Sequence, residues 1–415
     1  MTLRKIFFLF FLLVRIMMSW SQDSSAVQKK SDQSIEITGT GFINSNTINN
    51  DFISAIYNGR FIDSIMKLQA SDKLLTSNRL GGAAKLGLTY SYHSLEGNHK
   101  PIFYFSFFDR THLDMKFSDD LFYTLFYGNK MFSGNTSYLG NFSLNFLRYQ
   151  QFAFGWDWKG DYSHGSYGFA CSLLSGEQNI FIKAPTADLF TADDGTYMDF
   201  LLDMQVQQSD TSQKKFFSQN GSGLSTDFYY EMPYEFWKRH GRITFEVKDL
   251  GFIRWNSNSM QYNVDSSYHY DGIDVSDIFN IDSNSTQFTV NSVIDKNTSF
   301  KKGAYTTKIP CTFDVHTKSY YGTKVAIEKG IVWWFNTSAK AYYYAKLHFI
   351  VGRKTKTDFA YTIGYGGYGR FNAGLEAKVD FAKKYSFYIA DNYIFSGQAQ
   401  VPYGQGLCLK LVRKF

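Results

Sequence analysis

A side-chain period of two, sustained over most of the chain, limits the folds open to it more than anything else in its 415 residues. Ala84, Leu86, Leu88, Tyr90 and Tyr92 alternate with Lys85, Gly87, Thr89, Ser91 and His93. Phe152, Phe154, Trp156 and Trp158 share one parity; Ala153, Gly155 and Asp157 share the other. Similar runs stand at 102–108, 122–127, 142–146, 167–173, 243–248, 343–349, 359–365 and 371–379. A strand sends successive side chains to opposite faces, so most of these runs give one bulky apolar face and one small or polar face. The longer runs, roughly 8 to 11 residues, match a tilted strand crossing a bilayer. A soluble sandwich would bury the bulky face and charge the other richly. Here the second face is mostly Gly, Ser, Thr and Ala, as a wet or filled lumen requires. The pattern predicts an all-β chain, a transmembrane antiparallel up-and-down β-barrel over residues 83–415. The competing fold is a secreted soluble β-protein. No tandem repeat of fixed period marks a propeller.

Composition agrees. Aromatic residues reach 19%, with 41 Phe and 30 Tyr, yet mean hydropathy is −0.28. Apolar outside, polar inside and aromatic girdles at both interfaces produce that combination. No run of about 20 apolar residues follows the N-terminal segment, which argues against a helical membrane protein. Residues 1–21 read as a signal peptide: Arg4 and Lys5, an apolar run interrupted by Arg15, then Ser19-Trp20-Ser21 before the cut. Cleavage removes three basic residues and no acidic one, so formal charge falls from +6 to +3, too mild to suggest nucleic acid as a partner. At the other end Leu407, Leu409, Leu411 and Phe415 share a parity. Phe415 is thereby the expected assembly signal, read by the outer-membrane assembly machinery.

Residues 22–82 break the alternation. Residues 22 to about 50 are rich in Ser, Asn, Gln and Thr and read as an extended or mobile leader. Phe52, Ile53, Ile56, Phe61, Ile65 and Met66 then recur at spacings near three and four, the mark of an amphipathic helix. Asn50 or Asp51 is the expected cap, and Gly59 allows two shorter helices. An N-terminal plug inside the barrel would cover the apolar face; a periplasmic or membrane-surface helix is the alternative. Residues 205–222 read as a long loop. Residues 271–308 read as an extracellular loop or a lumen insert.

The chain offers little chemistry. It has no Gly-x-Ser-x-Gly elbow, no His-Glu-x-x-His pair and no phosphate loop between strand and helix. No catalytic residue, metal ligand or cofactor is expected. The acidic residues of 271–282 match no EF-hand spacing. Lys346, His348, Glu376 and Lys378 fall on the inward parity and are expected in the lumen, where hydration accounts for them. Cys171, Cys311 and Cys408 have no metal-type spacing and read as packed free thiols, one bridge remaining open.

Three stretches carry a resemblance: 51–63 closed by Asn78-Arg79-Leu80-Gly81, Lys248–Trp255 followed by Tyr270–Ile273, and Lys308-Ile309-Pro310. They resemble an uncharacterised family of Bacteroidota outer-membrane β-barrels, itself similar to the fatty-acid transporter type of outer-membrane barrel. The resemblance implies about fourteen strands, a plug, and room for a small hydrophobic ligand beside the surrounding outer-membrane lipid. The function expected is passage or capture of small molecules at the outer membrane of a Gram-negative bacterium. The rival is a non-transporting scaffold, adhesin or secretion partner.

Overall fold

The computed structural model describes residues 31–94, 101–160, 164–212, 217–236, 239–271, 301–352, 356–381, 384–394 and 403–415. Residues 1–21, the expected signal peptide, and residues 272–300, which include most of the 271–282 acidic cluster, lie outside these.

The strands are β1 (Ser31–Ser45), β2 (Asn78–Ser94), β3 (Pro101–Phe117), β4 (Thr136–Tyr138), β5 (Phe142–Trp158), β6 (Ser166–Thr191), β7 (Met198–Gln208), β8 (Gly221–Phe236), β9 (Arg239–Trp255) and β10 (Met260–Tyr270). They continue as β11 (Lys301–Lys302), β12 (Thr306–Lys308), β13 (Cys311–Tyr321), β14 (Val325–Phe335), β15 (Lys340–Val351), β16 (Lys356–Gly367), β17 (Phe371–Phe381), β18 (Tyr385–Asp391) and β19 (Gly404–Lys414). Helices are α1 (Asn50–Tyr57), α2 (Ser64–Ser71) and α3 (Asp119–Tyr127). Antiparallel pairing runs β1-β2-β3-β5-β6-β8-β9-β13 and on through β19, which pairs back to β1, closing a 14-strand barrel.

The alternation sets inside and outside. Leu86, Leu375 and Leu407 are 59%, 53% and 49% exposed on the outer face, while Ser106, Gln151, Ser172 and Ser225 are buried within. Where the sequence slips parity, the backbone absorbs it. Ile243, Phe245 and Val247 face out on odd numbers, Leu250 and Phe252 on even; Asp249, at φ 62°, takes up the extra residue. Such a bulge keeps the apolar row on one face.

Long connections gather at one end, the loop end. The opposite end carries the β13–β14 turn at 322–324 and both Ser31 and Phe415, while the short β14–β15 and β16–β17 turns lie at the loop end. At the loop end β6 outgrows the barrel. Its first half pairs with β8 and its second half with β7, which pairs with β10, raising a small sheet beyond the rim.

Four expectations are corrected here. Residues 31–45 form the first barrel strand, not a leader, so the barrel starts before residue 83. Ile35, Ile37 and Ile43 alternate there, but Gly39 and Gly41 on the same parity and polar neighbours blunt the pattern. The helical segment follows that strand and divides at Gly59 (φ 62°), as the sequence allowed, with Asn49 rather than Asn50 or Asp51 as its cap. Residues 122–127 are helical: Ser118 caps α3 through the Leu121 amide, and Phe122 and Phe126, four apart, fall on one helical face. The 205–222 loop is shorter than expected, because β7 runs to Gln208.

Candidate functional site

The outer face of the wall continues past the barrel at the loop end and meets the helices. Ile43, Leu80, Met115 and Phe117 have outward parity, and Phe52 of α1 packs into the cluster they form with Phe122 and Phe126. Ring centroids lie 5.5 Å apart for Phe52–Phe122, 5.0 Å for Phe52–Phe126 and 4.6 Å for Phe122–Phe126. Opposite stands the raised sheet, where Met198, Phe200, Leu202 and Met204 of β7 project toward the helices while Asp199, Asp203 and Gln205 face away. Between helices and sheet lies a cavity of about 1390 Å³, lined almost wholly by apolar side chains.

The expected plug residues therefore sit outside the lumen. Phe52 and Ile53 are buried and Met66 is packed against the same cluster. Ile56, Phe61 and Ile65 are exposed, and Ile56 lines the cavity. The physical reason is chain order: β1 delivers the chain to the rim before the helix begins, and the nearest apolar surface there is the outer wall.

The lumen is crossed by other elements. The β14–β15 turn reaches β3, where the Ser338 amide and hydroxyl donate to Asp114 at 2.7 and 2.8 Å. Tyr368, in the β16–β17 turn, is buried 3.4 Å from His112 and lies over Gly81, where a Cβ would collide with its ring. Deeper in, Arg110 forms a two-pronged ion pair with Asp249, its second arm 2.8 Å long. Gln151 joins that pair to Ser172 and Ser225, tying the inner faces of five strands together. Trp255 and Ile253 pack against Gly176 and Gly221, where an added Cβ would crowd them.

Of the four residues expected in the lumen, Lys346, His348 and Glu376 belong to one polar region of the inner face. Lys346 Nζ is 2.7 Å from Glu376. His348 bridges Asp358 (3.2 Å) and Glu328 (3.4 Å). Lys378 stands apart, exposed toward the turn end. Among the described residues no cluster suits a metal ion, and the three cysteines are free, Cys171 exposed on the outer face. Phe415 is 41% exposed and donates its amide to the Gln33 carbonyl at 2.9 Å. Sequence inspection missed β7 and α3 as cavity walls, although the alternation of Met198, Phe200, Leu202 and Met204 was there to be read.

A family described as a family of unknown function, DUF5723, matches residues 26–392. The chain belongs to that family. The DUF5723 match spans the barrel from before β1 to the end of β18. No curated protein matches the chain. Similar solved structures include a TodX deltaS2S3 mutant, a monoaromatic hydrocarbon channel, at 8% identity, covering 93% of this chain and 90% of that one with TM-score 0.43. A FadL homologue of Pseudomonas aeruginosa gives 8%, 93%, 90% and 0.38. Pseudomonas putida OprB gives 8%, 93%, 94% and 0.29.

Proposed function

We propose that this DUF5723 protein is an outer-membrane barrel of a Gram-negative bacterium that captures small hydrophobic molecules in its loop-end cavity. The cavity carries the proposal: about 1390 Å³ of apolar-lined space, walled by two helices and a sheet, exceeds what packing defects leave in a folded protein. A membrane location is supported by the belt of exposed Leu, Phe and Tyr around the barrel, a far larger apolar surface than a soluble protein leaves wet. Ser31, Phe415 and the β13–β14 turn then face the periplasm, and the cavity faces outward. The motif resemblance is what favours a Bacteroidota source.

Binding of the fluorescent apolar probe N-phenyl-1-naphthylamine to the detergent-purified protein tests capture. Leu202→Arg, which puts a charge into the cavity wall, should weaken binding at least tenfold. Equal binding by both proteins would end the proposal. A second reading, a barrel that holds or displays rather than conducts, is favoured by the contacts of Ser338 and Tyr368 across the lumen.

A further inference from the structure

The inner side of the same wall is built differently. In register across four strands, Arg79 of β2 faces Lys116 of β3, Lys116 faces Ser143 of β5, and Ser143 faces Lys183 of β6. All four have inward parity, so three cations and a hydroxyl stand in one row. Lys308 and Lys340 complete the lining of a cavity of about 800 Å³ at the lumen mouth.

Like charges directly opposite on neighbouring strands destabilise a sheet. Elsewhere in this lumen several cations have a carboxylate, Asp249 for Arg110, Glu246 for Lys248 and Glu376 for Lys346, and Lys85 lies over the Phe108 ring. Here the one carboxylate in the lining, Asp114, already accepts two hydrogen bonds from Ser338. Among the described residues none of the five cations forms an ion pair. Arg79 is only 9% exposed, and its Nε is buried with no hydrogen-bond partner. A buried guanidinium donor left unmatched is costly, and an anion is the group that would satisfy it.

We propose that this vestibule binds a small water-soluble oxyanion carrying at least two negative charges, of the phosphate or polycarboxylate type. The guanidinium fork suits either. A lipid headgroup does not fit, because the row lies on the lumen face of the wall and the apolar cavity on the other. The site is therefore independent of hydrophobic capture.

Equilibrium dialysis of the detergent-purified full chain against radiolabelled inorganic phosphate, and separately citrate, tests it. At low ionic strength at least one should bind saturably, and 0.5 M NaCl should weaken binding by screening. The double variant Lys116→Gln/Lys183→Gln should lose at least tenfold in affinity, and Lys116→Arg/Lys183→Arg should retain it. Leu202→Arg, in the apolar cavity, should leave anion binding unchanged. Should the Gln pair fail to fold, Lys340→Gln on the facing wall serves in its place, with a loss of at least threefold expected. Absence of saturable binding for both anions, or equal binding by the wild type and the folded charge-removed variant, would overturn the proposal.

Discussion

At the residue scale the wall depends on which way each side chain points. On β17, Phe371 and Leu375 are well exposed on the outside, while Glu376 points inward to Lys346. An arginine at a mid-membrane outward site costs roughly 2–4 kcal/mol, and much less where water reaches it. Leu375→Arg is therefore expected to lower refolding stability in lipid by about that amount. Lys378→Arg, which keeps the charge on the inner face, should change it by well under 1 kcal/mol. Urea titrations of the two variants in the same vesicles make the comparison. Equal tolerance would mean that the outer face of β17 does not meet acyl chains. The pair of parities was legible in the sequence, because strand geometry allows only two. The partnership of Arg110 with Asp249 was not: the residues lie 139 positions apart and meet only because β3 and β9 share a lumen.

At the element scale, what covers the buried side of α1 and α2 is decided by the rim. Their apolar side meets outward residues of β1, β2 and β3 together with α3. Deleting residues 51–74 should therefore leave a barrel that assembles and conducts no more than the wild type in planar bilayers, because the turns bearing Ser338 and Tyr368 still cross the lumen. The same deletion should abolish binding of the apolar probe. Large, steady openings would return the helices to the lumen as a plug. The division of labour between β8 and β7 on the one long edge of β6 could not be read locally. Both strands alternate, and only pairing geometry tells that one closes the barrel and the other rises beyond it.

For the molecule as a whole, closure rests on β1 and β19 lying side by side. The two pair from Ser34–Lys414 to Asn44–Gly404, and Phe415 adds its bond to Gln33. One residue inserted before Leu407 would turn the outward leucines into the lumen. That insertion, or deletion of Phe415, should sharply reduce the amount of heat-modifiable barrel recovered from the outer membrane on fractionation. Normal recovery of both variants would remove the terminal strand from the assembly signal. The barrel class, the two faces of most strands and the presence of helix within residues 50–71 were legible in the chain alone. These follow from local periodicity, which neighbouring residues alone encode. That residues 31–45 close the ring and that the helices lie outside was settled by the assembled fold. It alone decided that an apolar cavity and a basic vestibule occupy opposite faces of one wall. Those features depend on which distant strands become neighbours, and a period of two is the same whichever neighbour a strand finds.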